Sequence, residues 1–431
     1  MLLILRRGIL LLSGAILASG LALLARQATP EARVRRVLDA PQFKDAAAFL
    51  DRTHDRIVNE TIQLTEIPAP PFKEAQRGKA FLEMLRQTRL SNVEMDIEGN
   101  VLGLRKGTGG GPLVAIAAHL DTVFPEGTDV HVKRQGTRLA APGIGDDTRS
   151  LAVLLAVIRA LDAAKIETAS DILFVADVGE EGQGDLRGMR YLFQKGPYKD
   201  RIHTFISIDG TGAGSDITNG AVGSKRYRAV FKGPGGHSYG AFGLVSPAFA
   251  MGSAIQKISK LSVPSSPKTT FNVGPVGGGT SVNSIPFESW MEIDLRSESP
   301  VELAKLDKTV NAILVQAAEE ENRARATLQG KVTVDVKLIG DRPSGETPRT
   351  SPLVQTAAAV ITAMGMTPRF HFSSTDSNIP ISLGIPAITL DSGAKGGREH
   401  APDEWIDVEK TASLSGILAI LAILLSTAAM Q

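Results

Sequence analysis

The sequence predicts a layered α/β protein with a smaller α+β domain inserted into it. Three observations predict this. Short apolar runs, each the length of one buried strand, recur in the two outer portions of the chain. Helix-period segments separate those runs, as in parallel-sheet proteins. The middle portion alternates in period two and follows the order β-α-β-β-α-β, that of a ferredoxin-like unit.

The first portion opens with a targeting pattern. Arg6 and Arg7 precede an uncharged run from Gly8 to Ala25, closed by Arg26. A positive start followed by an apolar run marks export. Residues 1–28 are expected to be a signal peptide or an uncleaved N-terminal anchor, since the run approaches bilayer-spanning length. The bulk of the chain is then expected to be periplasmic or extracellular, with any membrane attachment made only through this segment.

Residues 40–215 are expected to form the first part of a catalytic domain. Its buried strands are Leu113–Ala118, Ile172–Ala176 and Phe205–Ile208, and its clearest helix is Leu151–Leu161. Residues 220–342 are expected to form the inserted domain. Tyr227–Phe231 alternates, a helix spans Pro247–Leu261, and strands follow near Thr269–Val273 and Ser289–Leu295. A helix over Pro300–Ala326 and a strand over Lys331–Leu338 close it. Residues 345–431 complete the catalytic domain with the helix Leu353–Met364 and the strand Ala387–Leu390. The last apolar run, Ile417–Leu425, is too short to cross a bilayer and is expected to be a core helix.

Composition narrows the function. The chain has 431 residues, a formal net charge of +1 and no cysteine. A near-neutral chain without basic tracts has no field for nucleic acid. The lack of cysteine excludes disulfides, thiolate ligands and thiol nucleophiles.

The chemistry lies where polar residues follow the apolar strands. His119 and Asp121 follow LVAIAA, Glu180 and Glu181 follow DILFVADVG, Asp209 ends FISI, and His400 follows AITL after a Gly-rich loop. Asp146 and Asp147 sit in PGIGDD just before a helix. Ligands of open α/β sheets bind beyond the carboxyl ends of the strands. Each piece alone has a bland reading: HxD as a capped turn, Glu-Glu as a solvated pair, Asp-Asp as a turn. Together, two imidazoles and several carboxylates make a site suited to zinc, with cobalt or manganese as alternatives. His119, Asp146, Glu181, Asp209 and His400 exceed the three protein ligands that one catalytic metal uses, which points to two divalent ions.

The stretches AAHLDTVFP, GIGDDTRS, ADVGEEGQG, ISIDG, GPGGHSYG, GGTSVNSIP, DLR and GGREHAPDEW, in this order, resemble the M20 family of metallopeptidases. That family includes peptidase T, carnosinase-like dipeptidases, glutamate carboxypeptidase and several deacylases. The resemblance implies a zinc-exopeptidase-like mixed sheet flanked by helices, with the inserted domain acting as a lid and as the contact of a homodimer. It implies that His119, Asp146 and Asp209 hold one metal, and Glu181, His400 and the shared Asp146 the other. It makes Asp121 the partner of the His119 ring, Glu180 the general base and His237 an oxyanion donor, often from a partner subunit. Asn283 and Arg296 match substrate-contacting positions; Arg296 has the structural alternative of pairing with Asp294 or Glu292. The Asp146–Asp147 peptide is typically cis in the family.

One stretch departs from the family: Thr148–Arg149–Ser150 stands where Lys-Gly is common. His54, His131, His203 and His371 read as structural or exposed. In that family the ligand at the position of Asp209 tends to be Asp in aminopeptidases and dipeptidases and Glu in many carboxypeptidases and deacylases, so the resemblance tilts the expected substrate toward small peptides trimmed by an aminopeptidase or dipeptidase. The alternatives are a carboxypeptidase or an N-acyl amino acid deacylase and, in a different class, a non-catalytic binding protein of the same fold. Such a protein is expected to have lost the base or a ligand, and none is missing here.

Overall fold

The structure is a computed structural model describing residues 29–431; the expected signal or anchor, residues 1–28, lies outside the described residues. Four helices come first: α1 (Pro30–Asp39), α2 (Pro41–Arg52), α3 (His54–Thr65) and α4 (Ala75–Arg86). Helix α1 begins ahead of the expected boundary at residue 40. Its arginines mask a short apolar stripe, and Val34 and Val37 are buried in the main core.

Strands β1 (Ser91–Met95), β2 (Val101–Arg105) and β3 (Gly111–His119) follow, then the short β4 (Lys133–Gln135) and β5 (Arg138–Ala140). Helix α5 (Arg149–Ala163) leads to β6 (Ser170–Asp177), α6 (Arg187–Gln194), β7 (Ile202–Ile208) and β8 (Asp216–Ala221). Leu151 to Ile158 of α5 are buried without interruption, as in a helix apolar all round.

The inserted unit runs from β9 (Gly223–Lys232) through β10 (Gly236–His237), α7 (Pro247–Ile258), β11 (Thr269–Gly278), β12 (Ser284–Ile285), β13 (Glu288–Ser297) and α8 (Pro300–Ala324) to β14 (Thr333–Arg342). Its sheet has the order β11-β13-β9-β14, all antiparallel. Alternate residues of β13 are buried, and α7 and α8 supply the other half of a separate apolar core. Strand β14 continues past the expected end at Leu338, shifting register between Leu338 and Gly340, and ends at Arg342. The polar Gly340–Asp341–Arg342 tail hides this extension from an apolar pattern.

The chain returns through β15 (Gly345–Glu346), α9 (Pro352–Ala363), β16 (Arg369–Ser373), α10 (Asn378–Ser382) and β17 (Ala387–Leu390). Strands β18 (Lys395–Gly397) and β19 (Trp405–Asp407) precede α11 (Lys410–Thr427). The main sheet has the order β1-β2-β6-β3-β7-β17-β8-β15, with β16 beside β8. Its centre, β6-β3-β7-β17, is parallel, while β2 runs antiparallel to β6, β8 to β17 and β15 to β8, and β16 lies parallel to β8. The sheet is therefore mixed, with helices on both faces and a core on each. Helix α11 is long and apolar enough to cross a membrane, but Ile417 and the run from Ala419 to Leu425 are buried in the main core. Because the four central strands are parallel, His119, Asp177, Ile208 and Leu390 end on one edge, where ligands of such sheets bind.

Candidate metal centre

Asp146 lies at the centre of that edge. The preceding Gly143 adopts a left-handed conformation (φ 76°), and a tight turn over Ile144–Thr148 delivers Asp146 ahead of α5. The Asp146–Asp147 peptide bond is cis. The two carboxylate oxygens of Asp146 face different histidines: Oδ1 is 2.9 Å from His119 Nε2, and Oδ2 is 2.9 Å from His400 Nε2. Asp209 Oδ1 stands 3.7 Å from His119 Nε2, and Glu181 Oε1 stands 3.0 Å from His400 Nε2. The five expected residues therefore meet as two clusters sharing one carboxylate.

The donor chemistry fits metal ions. Ligand atoms of His119, Asp146 and Glu181 lie within 4.8 Å of one another, as do those of His119, Asp147 and Asp209. The electrostatics agree in sign. Burial opposes charge on His119, yet Asp147, Asp146 and Asp209 together hold its pKa well above the usual value. Hydrogen bonds to Asp146 and Glu181 push His400 up to about 11. Burial, then the Asp146 charge, raises the Glu181 carboxyl. So much crowded negative charge calls for cations, and nitrogen and oxygen donors of this kind suit zinc, cobalt or manganese.

Asp147 was not among the expected ligands. It is fully buried, and its Oδ2 accepts the backbone N–H of His119 at 3.0 Å. Its Oδ1 has no hydrogen-bond partner, and burial pushes its carboxyl well above the usual range.

Asp121 sits differently from the expectation. Its carboxylate accepts three consecutive backbone N–H groups: Gly179 (2.8 Å) and Glu180 (3.1 Å) on Oδ1, and Glu181 (2.8 Å) on Oδ2. The His119 ring instead has its Nδ1 3.1 Å from the backbone carbonyl of Asp121, and 3.7 Å from the carboxylate. The converging N–H groups of the turn leaving β6 satisfy both carboxylate oxygens, and the adjacent carbonyl takes the imidazole. Asp121 thus holds the Glu180–Glu181 turn more directly than it holds the histidine.

Glu180 is 4% exposed, and its Oε1 accepts from Arg342 Nη1 at 3.1 Å. Burial raises its carboxyl well above the usual range, against the pull of Arg342. Sequence reasoning did not single out Arg342, which lies in the polar tail of β14. It also missed the role of Glu404, within the quoted stretch HAPDEW. Glu404 accepts the N–H groups of Gly143 (3.0 Å), Gly145 (2.6 Å) and Asp146 (2.9 Å), bracing the turn that presents Asp146.

The site opens into a cleft of about 640 Å³ between the main sheet and the inserted unit. Its wall includes Asp146, Glu180, Glu181, Asp209, His400 and Arg296. Arg296 donates to Asp294 at 2.7 Å, so its structural pairing is present while it also faces the cleft. Arg226, 3.1 Å from the same Asp294, stands beside it in the wall. His371, exposed as the sequence suggested, also borders the cleft, 3.4 Å from Asp216. His237 and Asn283 are exposed together on β10 and the loop before β12, joined where Ser238 N–H donates to the Asn283 carbonyl. Neither lines the cleft of its own chain.

Comparison with known proteins follows the same lines. A model of the peptidase family M20/M25/M40 matches residues 115–424. No curated protein matches the chain in sequence. Among solved structures, aminopeptidase PepT from Bacillus cereus superposes with a TM-score of 0.68 at 22% identity, over 87% of this chain and 99% of that one. A tripeptidase from Staphylococcus aureus gives 0.71 at 20% identity, over 87% and 98%. The Bacillus subtilis protein YxeP, described as a dinuclear metal binding peptidase, gives 0.63 at 18%, over 88% and 99%. At these identities the likeness establishes the fold.

Proposed function

The chain belongs to peptidase family M20/M25/M40, a metallopeptidase hydrolysing peptide bonds, and from that premise we propose an exported two-metal exopeptidase acting on small peptides. The observation that carries the two-metal reading is the sharing of Asp146, one oxygen toward each histidine. His119, Asp146 and Asp209 would hold one ion, and Asp146, Glu181 and His400 the other. Bound there, two divalent ions, most readily zinc, would activate water at neutral pH and polarise the scissile carbonyl. Glu180 accepts the proton of the attacking water on its carboxylate and returns it to the leaving amine nitrogen. Asp121 keeps the backbone of that base in place through its three N–H bonds. The low exposure of Glu180 limits competing bulk water.

Arg296 suits the carboxylate of a substrate, with Asn283 as a further substrate contact and His237 as the oxyanion donor. Since His237 and Asn283 stand outside their own cleft, this reading takes both from a second copy, paired through the inserted domain. Asp209, together with an aminopeptidase and a tripeptidase among the similar folds, favours a free-amino-terminus substrate such as a dipeptide or tripeptide. A second reading has an observation of its own. Arg226 and Arg296 share the single Asp294, leaving that wall net positive, as a carboxypeptidase or N-acyl amino acid deacylase also requires.

A digest of free and N-acylated di- and tripeptides by the metal-loaded protein tests the choice. Cleavage confined to acylated substrates would overturn the aminopeptidase reading in favour of the second. Export rests on the Arg6–Arg7 start and the apolar run after it. Fractionation of expressing cells, with the protein recovered only from the cytosol, would end that part of the proposal.

A further inference from the structure

The base Glu180 is gripped by a residue of the inserted domain. Arg342 is the last residue of β14, and only 4% exposed. Its Nη1 donates to Glu180 Oε1 and to Ser374 Oγ, each at 3.1 Å, and its Nη2 donates to the backbone carbonyl of Glu180. One rigid guanidinium thus holds the side chain and the main chain of the same residue. A planar fork does this at a cost in freedom that a flexible amine cannot match.

The rest of the turn is tied to the same place. Arg226 Nη1, on β9, donates to the Gly182 carbonyl at 2.9 Å. The backbone N–H of Asp341 donates to Asp185 Oδ1 at 3.0 Å, and Arg190 donates to the Asp341 carbonyl. Arg226 and Asp341 lie where β9 and β14 pair at the root of the inserted sheet. That root is where the chain enters and leaves the inserted unit. The segment carrying the base is therefore bonded to the inserted domain at successive points, while Asp121 holds it from the main sheet.

A second argument is charge. Glu180 and Glu181 are adjacent and both nearly buried. Arg342 is the cation paired with Glu180. Without it the base faces its neighbour's charge with nothing to fix its rotamer.

We propose that Arg342 is a positioning residue: it sets the orientation of Glu180 and couples it to the seating of the inserted domain. The proposal rests on the assignment of Glu180 as base. A misplacement of about 1 Å in a reacting group costs roughly 100-fold in rate. Arg342→Ala is therefore expected to lower kcat by about that factor, with KM within about twofold and the metal content unchanged. Arg342→Lys keeps the charge but loses the fork, and an intermediate kcat is expected. Added guanidinium at low concentration is expected to restore part of kcat in Arg342→Ala without changing KM.

A folded, metal-loaded Arg342→Ala with kcat within about threefold of wild type overturns the proposal. So does a loss of activity that tracks a loss of metal, because the residue would then act on the ligands. If Arg342→Ala fails to fold, Arg342→Lys decides: wild-type kcat there overturns the proposal. Glu180→Gln separates the two ideas. A turning-over Glu180→Gln sinks the base assignment itself, whereas an inactive one beside a fully active Arg342→Ala sinks only the role of Arg342.

Discussion

Glu404 Oε1 accepts the backbone N–H of Asp146 at 2.9 Å, so a residue from the far end of the chain holds the main chain of the carboxylate that His119 and His400 share. Gly145 and Gly143 donate to the same side chain, and burial raises the Glu404 carboxyl to about 7. The turn that presents Asp146 is thus a loop wrapped around one buried acceptor.

Removing that acceptor leaves three buried N–H groups without a partner. Each unsatisfied group costs about 1–3 kcal/mol. Glu404→Ala is expected to lower stability by several such units and to weaken metal binding by roughly 10- to 100-fold, the range for groups that orient ligands. Glu404→Gln, which retains one carbonyl oxygen, is expected to fall between. Thermal melts and metal titration of both variants check this; a wild-type Glu404→Ala in both assays would refute it.

Glu180→Gln is expected to bind two metals as wild type does and to lose turnover by at least about 100-fold, the contribution of a positioned base. Metal analysis beside steady-state kinetics separates the two effects. Near wild-type turnover would remove Glu180 from the mechanism.

The two histidines differ in burial. His119 is 1% exposed, whereas the His400 side chain is 55% exposed. His400→Ala is expected to fold normally and to retain the ion held by His119, Asp146 and Asp209. His119→Ala is expected to lose that ion and to lower stability as well. Both are expected to cut kcat/KM by at least about 100-fold, since a catalytic ion contributes several kcal/mol. Chelation of the wild type is expected to abolish activity, with zinc, cobalt or manganese restoring it. Two ions retained in both variants would refute the ligand assignment.

His54 begins α3, and its Nε2 is buried with no hydrogen-bond partner. Burial, then the Arg149 charge, lowers its pKa from 6.5. Folding therefore disfavours the protonated ring. The stability tied to this histidine is present above about 6.5, the unfolded value, and is lost as pH falls through the lower folded value. His54→Leu is expected to lose less stability than wild type between pH 7.5 and pH 5.5. Denaturant unfolding at the two pH values measures this, and equal losses in both proteins would count against it.

Much of the fold was legible because buried parallel strands are continuous apolar runs. Leu113–Ala118, Ile172–Ala176, Phe205–Ile208 and Ala387–Leu390 all lie within β3, β6, β7 and β17. The βαββαβ order of the inserted sheet was legible from its alternation. Helix α1 was not, because three arginines dilute a stripe that only the main core completes. The tail of β14 was not either, since backbone pairing with β9 holds it without an apolar pattern.

The sequence by itself determined which residue types follow the strands, His119, Glu181 and Asp209 among them, and its ordered stretches added Asp146 and His400 from loops to make the five candidate ligands. The strand-end positions follow from local periodicity, which a sequence carries directly, and the loop positions from the motifs around them. Only the tertiary structure decided the partners. Asp121 turned to the Glu180–Glu181 turn, Arg342 closed on Glu180 from 162 residues away, and Glu404 reached Asp146 across 258. His237 and Asn283 came to stand outside the cleft of their own chain. A buried hydrogen bond is chosen among whatever donors and acceptors the folded chain brings within about 3 Å. No spacing along the chain encodes that choice.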